Sequence, residues 1–134
     1  MAGTATTWSY TTAMTVPRLA AEMLDPSWRH SDRPLVQFVM DWRRFPEQRP
    51  QVLAVEPPAG TDEVTAAKMA TVVHALCERD GLPVPEWVHR HRLVAGVGLF
   101  GVPLDSPFGT TIRRRAPRVC AEHGVWFGAD MLDA

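Results

Sequence analysis

Apolar positions recur at intervals of three and four along most of this chain, and prolines cut the pattern into short stretches. Val16, Leu19, Ala20, Met23 and Leu24 share one helical face, behind Thr15 as N-cap and with Pro17 in the first turn; Asp25-Pro26 ends that helix. Ser31 or Asp32, followed by Pro34, starts a second helix. Its apolar side is Leu35, Val36, Phe38, Val39 and Trp42, and Asp41, Arg43 and Arg44 are expected to stay in water. Pro46 closes it or opens a short third helix over 47–55, in which Pro50 is an obstacle. Glu56-Pro57-Pro58-Ala59-Gly60 reads as a turn.

The best-defined helix is predicted over 62–80. Thr61 or Asp62 caps it, and Ala66, Met69, Ala70, Val73, Leu76 and Cys77 form its stripe; Gly81 and then Pro83 stop it. Pro85 opens a short helix holding Trp87, Val88 and His91. The segment LVAGVGLFGV, 93–102, spaces glycines between aliphatics and reads as a loop or short strand. No Lys-Ser/Thr follows it and no strand–helix pattern flanks it, so it is not a phosphate loop. Asp105 or Ser106 with Pro107 restarts a helix to about Arg115; Pro117 starts another, ended by Gly124. Val125–Phe127 is extended, and 129–132 is a helical turn.

These elements predict a mainly α fold: a compact bundle of roughly five to seven short helices around the central helix 62–80, with at most a small β-ribbon from 94–102 and 125–127. Residues 15–134 are expected to form a single helical domain. Residues 1–14, rich in threonine and without helical period, are expected to be a loosely ordered arm, with Trp8–Thr12 a short edge strand or part of that arm; the start is Met1 or Met14.

Composition narrows the picture. With 46% hydrophobic residues in 134, there is material for one real core, which excludes a wholly disordered chain. A formal charge of −1 provides no global field for nucleic acid or acidic membrane. No apolar run approaches a membrane span, and no secretory signal is visible at 1–10, so a cytoplasmic protein without a membrane partner is expected. Two cysteines are too few for a disulfide framework, which fits a reducing compartment. The five tryptophans, Trp8, Trp28, Trp42, Trp87 and Trp126, are expected mostly in the core, although tryptophan also serves interface hot spots.

The sharpest chemical pattern is His74-x-x-Cys77 with Cys120-x-x-His123. Each pair lies at i, i+3 on a predicted helix, and together they can offer zinc two nitrogens and two sulfurs. Against this, Cys77 falls in the apolar stripe, where a free cysteine acts as a small hydrophobe, and His123 precedes a helix-ending glycine, where it can meet the last carbonyls. The core reading is preferred: no metal and no cofactor is expected. Arg113, Arg114, Arg115 and Arg118 form the only dense basic run, a candidate for phosphate or an acidic protein patch, or simply a solvated helix end where positive charge is favoured. His89-x-His91, in a run with Arg90 and Arg92, reads as an exposed basic turn. Ser9 and Ser106 sit in no nucleophile elbow, and neither cysteine has a catalytic signature around it, so no catalytic residue is assigned.

From Val36 onward, VQFVMDWRRFPEQRPQVLAVEPP, then CERDGLPVPEWV, then SPFGTTIRRRAPRVCAEHGVWFGADML resemble small helical proteins common in actinobacteria, of the antitoxin or regulatory type found in toxin–antitoxin-like gene pairs. The matching segments are structural. They bring no functional residue and no DNA-binding helix-turn-helix, and LVAGVGLFGV carries fewer aromatic and acidic residues than the resemblance leads one to expect. What it implies is a non-catalytic regulatory protein that binds another protein, such as a toxin encoded nearby. Two alternatives stand beside it: a nucleic-acid-binding regulator using the Arg113–Arg118 face, and a small enzyme with a pocket lined by His74, His91 or His123.

Overall fold

The computed structural model describes residues 12–28 and 31–134. Among them are six α-helices: α1 (Val16–Leu24), α2 (Arg33–Arg44), α3 (Arg49–Leu53), α4 (Glu63–Asp80), α5 (Pro107–Arg115) and α6 (Val119–His123). Two two-residue strands complete the order, β1 (Val97–Gly98) and β2 (Val125–Trp126), with 3₁₀ turns between several elements. Over the described residues the protein is mainly helical, with one small β element.

α4 is the hub. Asp62 caps it by accepting from the Thr65 N–H, and Gly81 ends it in the left-handed region at φ 70°. The predicted stripe is buried, but so are Ala67, Thr71, Val72, His74 and Ala75, so nearly every face of its middle is covered. α1, α6 and the 3₁₀ turn Glu86–Arg90 all pack on it, and α1 also packs on α2. A helix wrapped on all sides needs apolar or internally satisfied residues all round. The Thr71 hydroxyl meets this by donating to the Ala67 carbonyl at 2.6 Å.

Long-range polar bonds lock the outer elements. Trp42, buried in the core, donates from Nε1 to Asp80 Oδ2 at 2.7 Å, and the Arg49 guanidinium lies over its ring. Asp41, expected in water, is buried. Its carboxylate accepts from the Met14 N–H at 2.8 Å and from Gln37 Nε2 at 3.0 Å, and so secures the chain entering α1. Ala13 and Met14, at the end of the expected arm, are core residues, and the Ala13 N–H donates to Gln48 Oε1. The possible Trp8–Thr12 strand falls almost wholly outside the described residues, as do Trp8 and the Trp28 side chain. Trp42 and Trp87 are buried, and Trp126 is half-buried.

Asp32 occupies the N-cap position of α2, yet its side chain does not cap the helix. It is buried. Lys68 Nζ donates to it at 2.9 Å, and so does the Phe100 N–H at 2.8 Å, so the carboxylate joins α2, α4 and the 93–102 loop. The third helix is shorter than expected: a 3₁₀ turn, Pro46–Gln48, absorbs the entry and α3 follows with Pro50 in its first turn, where a missing N–H costs nothing.

The ribbon is parallel, with Val97 opposite Val125 and Gly98 opposite Trp126. A parallel pair needs a long crossover, and α5 and α6 supply it. Ser106 caps α5 by accepting from the Gly109 N–H. Only Gly109 of that helix is buried; a Cβ there would lie 2.1 Å from the Pro103 carbonyl oxygen, so α5 rests its backbone directly on the preceding loop.

Candidate functional site

Two places in this fold gather chemistry. The first is a histidine cluster between α4 and α6. His74 sits midway along α4 and His123 ends α6, both buried, and their rings meet edge-on with His74 Nδ1 2.9 Å from His123 Nε2. The turn after α6 sets this geometry. Gly124 adopts φ 71°, and a Cβ there would stand 2.1 Å from the Leu93 carbonyl oxygen. The tight approach lets the Leu93 N–H donate to the His123 carbonyl and the Val97 N–H to that of Gly124. It also brings the His91 carbonyl to His123 Nδ1 at 2.6 Å.

A carbonyl only accepts, so His123 carries its proton on Nδ1 and leaves Nε2 bare. His74 must then donate from Nδ1 towards it. Glu122 Oε2 also lies 3.4 Å from His74 Nδ1. The ligating atoms of His74, Glu122 and His123 all fall within 4.8 Å of one another. The exposed His89 stands edge-on to the His74 ring, with centroids 5.3 Å apart. Burial holds His74 below the ordinary histidine range, with the neighbouring His123 adding to the effect and Glu122 opposing it; burial likewise lowers His123 and His91.

The sequence pairs therefore converge by half. Both histidines meet, but Cys77 and Cys120 do not join the group, and the third member is Glu122, which the i, i+3 pattern passes over. Both thiols are fully buried and pushed up to about 11 by desolvation, so they are neutral core groups at physiological pH. A carboxylate adjacent to a histidine was the available signal. His89 is exposed as expected, whereas His91 is half-buried and contributes its carbonyl.

The second place is a groove of about 670 Å³ walled by α5, the 99–102 segment and the stretch from Trp126 to Met131. Val36, Phe108, Ile112 and Trp126 give it an apolar surface, and Phe100 and Phe108 stand at it 49% and 65% exposed. Phe100 has φ 60° and is the one non-glycine among the described residues with positive φ. Its N–H is held by Asp32. A phenylalanine held left-handed costs roughly 1–2 kcal/mol, and here it is held with half its side chain in water.

The four arginines do not form one face. Arg115 lines the groove. Arg113 lies over the Trp126 ring at 5.3 Å. Arg114 is exposed with no partner among the described residues, while Arg118, at the start of α6, is drawn to Glu78 on α4. Among the described residues no helix is long and apolar enough to cross a membrane. Comparison of the chain with protein-family models, with curated proteins and with solved structures found no match.

Proposed function

We propose that this is a non-catalytic regulatory protein of the cytoplasm that works by seating a segment of another protein, acidic and amphipathic, in the groove beside α5, as an antitoxin-like protein would hold its partner. The observation that carries this reading is Phe100, a strained and half-exposed aromatic fixed at the groove by a buried carboxylate. Strain of that kind persists where the surroundings impose it, and it gathers at sites of recognition. Phe108 doubles the exposed aromatic surface, and aromatic anchors are what interface centres use. Charge complementarity selects the occupant. Arg115 lines the groove and Arg114 stands exposed beside it without a partner among the described residues, while Asp130 is the acidic side chain of the groove lining. Apolar side chains spaced along one face of a partner helix fit the trough while carboxylates on its flank meet the arginines.

Nucleic acid is the less favoured partner, because Arg113 and Arg118 are already engaged and a phosphate track needs several free cations in line. To test the reading, proteins retained from the native host by the full chain are identified, and the complex is rebuilt from purified components. Its dissociation constant is then measured at rising salt. The expected result is a protein complex lost on Phe108→Asp and moderately salt-sensitive. A duplex or RNA bound with a steep salt slope, abolished by changing Arg113, Arg114 and Arg115 to Gln, would replace it with the nucleic-acid reading.

A further inference from the structure

We infer that His74 Nδ1, His123 Nε2 and a Glu122 carboxylate oxygen form a binding site for a divalent first-row transition cation, zinc by the character of its donors. This site is independent of the groove and of whatever binds there. Two imidazole nitrogens and one carboxylate oxygen are a common three-ligand set for zinc, with water in the remaining position.

Geometry, orientation and access each point the same way. Bonds of about 2.0–2.1 Å in a tetrahedral array place ligand atoms roughly 3.3–3.4 Å apart. His74 Nδ1 and Glu122 Oε2 stand at 3.4 Å, while the two imidazole nitrogens, at 2.9 Å, need to part by about half an ångström. All three donor atoms already lie within 4.8 Å of one another.

His123 is oriented as a metal ligand is. Its Nδ1–H is committed to the His91 carbonyl, and this second bond fixes the ring and turns the Nε2 lone pair towards His74. Gly124 is what lets the 91–93 backbone come close enough to make it. Access comes from the Glu122 side. Both histidines are buried, but the Glu122 side chain is 47% exposed, so the cluster opens to solvent at its carboxylate. A hydrated cation can enter there and keep a water. On binding, the His74 proton leaves Nδ1 and is taken up through solvent at its Nε2, so the ring stays neutral and coordinates through the freed lone pair.

The cysteines take no part. Each lies three residues from a ligand on the same helix, but both are fully buried as neutral thiols outside the cluster. This separates the site from the two-sulfur, two-nitrogen arrangement that the sequence spacing offers.

The test uses the full chain, treated with a chelator and dialysed, then titrated with zinc by calorimetry and with cobalt(II) by absorption spectroscopy. The expected result is one zinc per chain and a cobalt spectrum without a thiolate charge-transfer band. Glu122→Gln, an exposed change that leaves the core intact, should weaken zinc at least about tenfold. His74→Asn and His123→Asn should abolish binding, while Cys77→Ser and Cys120→Ser leave it unchanged. The inference is overturned by the absence of stoichiometric zinc binding, by zinc binding of equal strength in Glu122→Gln, or by a thiolate band lost in Cys77→Ser. Should a histidine variant fail to fold, Glu122→Gln and the cobalt spectrum still decide.

Discussion

The histidine cluster and the α5 groove lie at the two ends of one crossover, and they are built in opposite ways. At α6 the backbone is drawn in: Gly124 presses on Leu93, His123 is buried against His74 and His91, and polar groups find partners inside. At α5 the helix is held off the core. It buries one glycine, and it leaves Phe108 and three arginines facing outward. The first arrangement satisfies its own chemistry and suits a small guest. The second leaves apolar area and charge unsatisfied, which a separate macromolecule can cover. Within a few tens of residues, the same chain makes a polar site drawn into the core, with its opening at Glu122, and an open apolar groove, and the difference lies in where the backbone is allowed to approach.

The comparison breaks most severely at Gly124. Gly124→Ala places a methyl 2.1 Å from a carbonyl oxygen at φ 71°. It should cost about 3 kcal/mol or more, from the left-handed backbone and the forced displacement together. Chemical denaturation measures it, and a loss below about 1 kcal/mol would mean that the α6 turn is not the close-packed end.

Asp32→Ala acts on the other end. It strips Lys68 of its partner in a site where the lysine side chain is 15% exposed, and it releases the Phe100 N–H. Leaving a largely buried charge unpaired should cost roughly 3 kcal/mol. The 99–102 backbone should gain hydrogen exchange while the α4–α6 contact keeps its protection. Uniform loss of protection would show that the two ends are one cooperative unit.

Phe100→Gly should move stability the other way. Relieving the positive φ contributes about 1 kcal/mol, set against the small burial that a half-exposed ring gives up. A more stable protein that no longer holds its partner is the signature of strain kept for recognition. A destabilised Phe100→Gly would instead make Phe100 a packing residue.

The smallest effect belongs to the core edge where α2 and Arg49 of α3 meet the end of α4. Burial opposes ionisation of Asp80, but the Trp42 indole N–H and the Arg49 and Arg79 guanidinium groups outweigh it and lower its pKa. A lowered folded value means the stabilisation is present above the ordinary carboxylate range and fades as pH falls through the folded value. Asp80→Asn keeps an acceptor for Trp42. It should cost about 1 kcal/mol near neutrality and flatten the acid limb of a stability–pH profile, without altering the limb above pH ~5.

α4 was legible because its signals are local: a capping aspartate, a stripe at helical spacing and a terminal glycine all lie within the segment they specify. Asp41 and Asp32 were not. Their partners are 27 residues away for Met14, 36 for Lys68 and 68 for Phe100, and nothing at i±4 marks a carboxylate that will be buried. The candidate metal residues were half-legible for the same reason. Helical spacing flags His74 and His123, but it also flags Cys77 and Cys120, and only the packing of α6 on α4 decides which side chains meet. The groove left the faintest trace. Phe100 and Phe108 read as ordinary apolar residues in a loop and at a helix start, and a positive φ at a phenylalanine has no sequence signal.

The division of labour between the two ends is tested most directly by the affinity of the rebuilt protein complex for paired charge insertions. Phe108→Asp places a carboxylate in the groove, and Val64→Asp places the same charge on an exposed aliphatic outside it. The expected result is a loss of at least about 2 kcal/mol for Phe108→Asp, as for an interface anchor, and a change within about 0.5 kcal/mol for Val64→Asp. Equal affinities for both variants and the unaltered chain would contradict the assignment of partner binding to the α5 groove.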